Sequence, residues 1–179
     1  FARGLYRASV ERELPNEKRL REFSEAGLPR LEQMLLSEAP IYPAYEKVKL
    51  AWSLTKLREA LGTDHPLVKR ILGKESPQQL AARLIDGTQL GDVDARKALW
   101  LGGAKAVAAS NDPMIALVRD IDAASRELRL RYETEVEAVE QKNAELIAQA
   151  RFAKEGTGVY PDATFTLRLS YGAVQGWNE

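Results

Sequence analysis

Apolar residues recur along most of this chain at steps of three and four, the spacing that gathers side chains on one face of an α-helix. Leu5, with Ser9 and Val10, opens an amphipathic segment that fades by Leu14 and Pro15. Leu20, Phe23, Leu31 and Leu35 carry the next face. Pro29 inside it predicts a kink or break, because proline has no N–H to donate and its ring clashes with the preceding turn. Ala39-Pro40-Ile41-Tyr42-Pro43 reads as a connector, after which Leu50, Leu54, Leu57 and Leu61 predict a helix over about 44–61 that stops at Gly62. Ser76-Pro77-Gln78-Gln79 combines a cap residue, a first-turn proline and a Gln three positions after the Ser, so Ser76 opens a helix that ends near Gly87. Asp92 caps another, running to the Gly102-Gly103 pair, with a further turn or two over 104–109.

Asp112-Pro113 starts the longest element. Val118, Ile121, Ser125, Leu128, Tyr132, Val136, Val139, Asn143, Ile147 and Ala150 follow at steps of three and four, and neither Gly nor Pro intervenes before Gly156. A helix of about 40 residues, on the order of 60 Å long, is implied. Its weak point is expected at Asp120-Ile121-Asp122, where poorer helix formers cluster. Its outer faces, from Arg126 to Glu137, read as a solvated surface with i,i+4 ion pairs. After Gly156 the period changes to two: Phe165, Leu167, Leu169 and Tyr171 alternate with Thr164, Thr166, Arg168 and Ser170. The pattern predicts a β-strand, with Gly172 and the residues to Trp177 as a turn and a second strand. One strand or hairpin without a sheet leaves backbone groups unpaired, so this one is expected to pair with something outside the chain. The fold class is therefore mainly α: a multi-helix region over 1–156, then a linker and strand over 157–179.

Composition narrows the function. The chain has 179 residues, 45% of them apolar and 29% charged, as in an ordinary globular domain. Lys plus Arg and Asp plus Glu are 26 each, and this neutral balance argues against electrostatic binding to nucleic acid or a membrane surface. No window approaches the roughly 18 uncharged apolar residues of a membrane span. The absence of cysteine removes disulfides, thiolate metal sites and cysteine nucleophiles. The chain begins at Phe1 without a signal-peptide pattern, which reads as a cut N-terminus.

The residues able to do chemistry are sparse. His65, the only histidine, sits in Thr63-Asp64-His65-Pro66, where a helix-start turn residue is the simplest reading and a general base or metal ligand the sharper one. With no second His, no Cys and no HExxH, no metal site is expected. Glu133 to Glu145 lacks the regular Asp/Asn loop of a calcium site and reads as a solvated face. Gly156-Thr157-Gly158 precedes a strand instead of a helix and lacks a following Lys-Ser/Thr, which excludes a phosphate loop; Gly156 and Gly158 are candidate hinge residues between helix and strand, with a fixed turn as the other reading. Gly102-Gly103 reads as a break between helices, though it also suits close approach of a ligand to backbone. Trp52, Trp100 and Trp177 are either stacking platforms or packing residues, and the Leu and Ala neighbours of the first two favour packing. Ser9, Ser76, Ser110 and Ser170 have no Gly-x-Ser-x-Gly setting, and no nucleophilic triad is visible.

The stretch Tyr160-Pro161-Asp162-Ala163-Thr164-Phe165-Thr166-Leu167-Arg168-Leu169-Ser170-Tyr171-Gly172 resembles the signature of serine peptidase family 46, the bacterial dipeptidyl-peptidases. Further stretches agree in the same order along the chain: Leu36-Ser37 with Ala39-Pro40-Ile41-Tyr42, Asp64 to Lys69, Arg96-Lys97-Ala98-Leu99, Gly102-Gly103, Asn111 to Ile115, Arg131-Tyr132-Glu133 and Ala150 to Ala153. The resemblance implies a chymotrypsin-like double β-barrel with a His, Asp and Ser triad and an inserted helical domain that caps the cleft. It also implies removal of dipeptides from free peptide N-termini, a periplasmic or cell-surface location, a homodimer and no cofactor. The triad His and Asp precede the family's helical region and the Ser follows it, so no catalytic or amine-binding residue carries over to this chain. The chain then corresponds to the C-terminal part of the helical domain, over 1–156, and the strand returning to the barrel. Peptides are the expected partners, through the longer protein. Two readings from other classes stand beside this one: a freestanding α-helical interaction module that binds a partner helix through an exposed apolar groove, and a metal-dependent hydrolase on helical carboxylates, which the missing Glu-x-x-His pairs disfavour.

Overall fold

Residues 1–156 and 172–173 are described by the structure, a computed structural model. In chain order the helices are α1 (Ala2–Glu11), two 3-10 turns (Asn16–Lys18 and Arg21–Phe23), α2 (Leu28–Leu35), α3 (Pro43–Leu61), α4 (Pro66–Leu72), α5 (Pro77–Gly87), α6 (Val93–Ala109), α7 (Pro113–Tyr132), a π-helical stretch (Glu133–Glu137) and α8 (Ala138–Glu155). No strand occurs among the described residues, and the expected strand over 164–171 lies outside them.

The helix starts follow from local chemistry. Proline stands in the first turn of α2, α3, α4, α5 and α7, where its missing N–H would have no intrahelical partner and its fixed φ suits the helix. Pro29 therefore opens α2 instead of kinking a longer helix, and the apolar residues before it, Leu20 and Phe23, lie in and beside the 3-10 turns. Ser76 forms the complete capping box, accepting from the Gln79 N–H at 3.2 Å while the Gln79 carboxamide oxygen accepts from the Ser76 N–H at 2.9 Å. Asp92 accepts from the Asp94 N–H at 2.9 Å. Within α6, Gly103 has φ +58° and ψ −147°, a conformation reserved for glycine, and it divides the helix where the paired glycines predicted a break.

Pro113–Glu155 is helical for 43 residues. The expected weak point at Asp120-Ile121-Asp122 is regular α-helix, and the irregular turn is the π stretch at Glu133–Glu137. Tertiary bonds to the buried Asp122 override its propensity. At the π stretch the Thr134 hydroxyl donates to the Leu130 carbonyl at 2.9 Å and the Arg131 carbonyl at 3.2 Å, in competition with the regular backbone ladder.

The chain divides into two units, residues 1–127 and 128–179. In the first, α1 packs against α6 and α2, and α3 packs against α5 and α4. Two apolar clusters result. One gathers Leu5, Ala8, Phe23, Leu35, Trp100, Val107, Ile115 and Val118; the other gathers Leu54, Val68, Leu72, Leu80, Ala81 and Leu84, and Met114 packs against both. Trp100 is buried with the Arg12 guanidinium 5.0 Å from its ring centroid, as the packing reading expected. Trp52 differs: it is 63% exposed, because α3 is apolar on two sides and turns Leu50, Leu54 and Leu57 inward while Tyr45, Val48 and Trp52 face out. In the second unit, every residue from Thr134 to Gly156 is exposed, including Val136, Val139, Leu146, Ile147 and Phe152.

Ile115 is fully buried at the meeting of α7 with the first cluster. Ile115→Ala is expected to lower the urea-unfolding free energy by about 2–5 kcal/mol, whereas Leu101→Ala should change it by less than about 0.5 kcal/mol, since Leu101 is 69% exposed. Equal effects would contradict this assignment of the core.

Candidate functional site

A cleft of about 480 Å³ opens in the first unit, between the connector 39–42, the first turns of α3, the loop 88–91 and Met114. Its walls are mainly apolar, with Ile41, Tyr42, Tyr45 and Met114 prominent, and Glu46 and Lys49 supply charge. Those two pair with each other at 2.9 Å, and the Lys49 ammonium also lies 5.0 Å from the Tyr45 ring centroid. The hydrogen bond to Glu46 holds the Lys49 pKa above its ordinary value. A cleft of this size and lining suits an apolar group.

Two polar clamps, buried Arg96 and half-buried Asp112, tie together the segments around the cleft. Arg96 on α6 is 1% exposed, and among the described residues it pairs with no carboxylate. Its Nε donates to the Leu35 carbonyl at 2.7 Å and its Nη2 to the Ser37 carbonyl at 2.5 Å, while Nη1 donates to the Leu90 and Gly91 carbonyls at 2.8 and 3.1 Å. The guanidinium carbon also lies 4.3 Å from the Phe1 ring centroid. One side chain thus holds the end of α2 and the loop that precedes α6. Asp112 is the second clamp. It accepts from the Thr88 hydroxyl at 2.8 Å and the Gln89 N–H at 2.8 Å, and caps α7 through the Met114 N–H at 2.9 Å.

A third polar assembly joins α1 to α7. Asp122 accepts from the Arg7 Nε and the Arg126 Nε, each at 2.6 Å; Arg126 Nη1 reaches Glu11 at 2.6 Å, and Glu11 also accepts the Leu20 N–H at 2.7 Å. Arg7 donates further to the Ser125 hydroxyl at 3.1 Å. Arg7, Glu11 and Asp122 are buried, and charges of alternating sign compensate one another along the chain. Burial pushes the Asp122 carboxyl up, but hydrogen bonds from Arg126 and Arg7 outweigh it and hold the pKa below the ordinary 3.8. Burial pulls Arg126 down, and its bonds to Asp122 and Glu11 hold it above its ordinary value. Arg126 was expected on a solvated face; its aliphatic stem is drawn inward because both acids are buried. Farther along, Arg129–Glu133 at 2.6 Å and Arg131–Glu135 at 2.9 Å are i,i+4 pairs as expected.

The chemistry-bearing residues singled out in the sequence do not converge. His65 is exposed at the start of α4, and its Nδ1 accepts the Leu67 N–H at 3.2 Å, a helix-start role. The Ser9 hydroxyl donates to the Tyr6 carbonyl at 2.7 Å, while the Ser76 and Ser110 hydroxyls each accept a backbone N–H at 3.2 Å. Among the described residues no hydrogen bond joins a serine to His65, and no three acidic or His residues cluster to hold a metal ion. No described helix is long and apolar enough to cross a membrane. Gly156 ends α8 at φ +61° and ψ −147°, with open space where a Cβ would lie; Gly158, Ser170 and Trp177 are outside the described residues.

The family model for Peptidase S46 matches residues 1–179, the whole chain, and the chain belongs to that peptidase family. Arg96 and Asp112 both lie in the stretches that carry the family resemblance, and so does the connector 39–42 that lines the cleft. The geometry gives those residues an architectural reason to be there.

Two measurements test the clamps. A carboxyl with a depressed folded pKa contributes stability above its unfolded pKa and loses it as pH falls through the folded value. Asp122→Asn should therefore be less stable at pH 7 by on the order of 3 kcal/mol, and its deficit against the parent chain should shrink as pH falls below 3.8. A deficit independent of pH in denaturant titrations would contradict the ion-chain account. Arg96→Met, which keeps the stem but leaves four carbonyls without their donor, should cost about 3–5 kcal/mol by the same assay. A neutral effect would mean that the loops hold their shape without the guanidinium.

Proposed function

We propose that this chain is part of a dipeptidyl-peptidase, a serine protease that removes dipeptides from peptide N-termini, and that residues 1–156 belong to its non-catalytic helical cap. The match of residues 1–179 to Peptidase S46 carries the reading. Family membership brings peptide substrates with it. Two structural observations support the finer assignment. The described residues contain helices and no strand, which suits a cap and not a protease barrel. The helix beyond Leu128 exposes an apolar stripe, with Leu128, Tyr132, Val136, Val139 and Ile147 between 40% and 69% exposed. Helices in water draw most of their stability from a buried apolar face, so this one is suited to being covered by other parts of a longer protein.

In this reading the cap contributes no reacting group. It acts by covering the cleft, restricting water at the scissile bond and admitting short peptide ends while excluding folded chains. The strand expected over 164–171 returns the chain to the barrel, the link at Gly156 and Gly158 is a candidate hinge, and the complete protein is a periplasmic or cell-surface homodimer. A freestanding interaction module would also display an exposed apolar helix face. It would not need residues 157–179 to share the peptidase family's pattern, as they do.

Offered dipeptidyl and single-residue chromogenic substrates, the complete protein is expected to release dipeptides and to be blocked by a serine-directed inhibitor, and residues 1–179 alone are expected to be inert. Cleavage by the isolated chain, or an inactive complete protein, would overturn the reading. Replacing Gly156 and Gly158 by Ala in the complete protein is expected to change peptide turnover, since Gly156 sits at positive φ and Ala there is strained by about 1 kcal/mol or more. Unchanged kinetics would remove the hinge while leaving the cap.

A further inference from the structure

We draw no further inference here: the strongest candidate, the apolar cleft of about 480 Å³ between the connector 39–42, the start of α3 and Met114, belongs to the site already described, and nothing in the structure shows what group fills it.

Discussion

The Arg96 guanidinium is buried without a counter-ion among the described residues, and the shape of its surroundings follows from that constraint. Burial of a charged guanidinium must be compensated by hydrogen bonds, here with the Phe1 ring beside it. Carbonyls from Leu35, Ser37, Leu90 and Gly91 supply four acceptors, and two loops remote in sequence must bring them to one plane. The end of α2 is thereby fixed against the start of α6, and the connector 39–42 leaves Ser37 from a fixed point. The cleft beside α3 inherits its wall from this arrangement. Lysine would not substitute: a single ammonium has the charge but not the fork that reaches four carbonyls in two directions.

The ion chain on the other side of α1 obeys the same logic with a different solution. Arg7, Asp122, Arg126 and Glu11 alternate in sign, so each buried charge has an opposite neighbour at 2.6 Å. Such a network is not a large net source of stability against apolar packing of the same volume, because desolvation offsets much of the attraction. Its effect is discrimination: it favours one register of α1 against α7, since sliding by a turn would separate Arg7 from Asp122 and Glu11 from Arg126. The Nη2 of Arg126, buried and without a partner among the described residues, shows that the match is not complete. Apolar contacts of Leu5 and Ala8 hold the same helix and set the rest of its binding strength.

Much of the helical order was legible in the sequence because proline, capping residues and three-four spacing are local signals. Pro43, Pro66, Pro77 and Pro113 each mark a helix start within a residue, and the long uninterrupted stretch to Gly156 is visible from the absence of breakers. Where the reading failed, nonlocal contacts decided. Pro29 opens a helix because the chain before it is held in 3-10 turns. Trp52 faces out because α3 carries apolar side chains on two faces, and periodicity does not say which one meets a partner. The partners of Arg96 and Asp122 are not legible locally, because their bonds reach segments remote in sequence. A positional signal was present all the same: Arg96 lies one turn before Trp100 on the buried stripe that continues to Val107, and Asp122 one turn after Val118 on the stripe from Ile115. A charge at a stripe position announces either a fault or a buried network, and opposite charges at stripe positions of several helices favour the network.

What separates a rigid cover from an active site is visible in where the polar groups point. An enzyme centre aims acids, bases and donors into a space a substrate can enter; among the described residues the buried polar groups bond to backbone carbonyls and to one another. Fixed contacts of that kind suit the proposed cap, because selection by exclusion requires that the cover resist deformation by a chain that does not fit. The exposed apolar helix of the second unit adds the complementary requirement. A surface of Val, Leu, Ile and Phe gains by leaving water, so it favours an arrangement in which that face is covered. Polar clamps that set internal shape and an apolar helix face left in water are the two features of the described residues that the proposed cap would draw on.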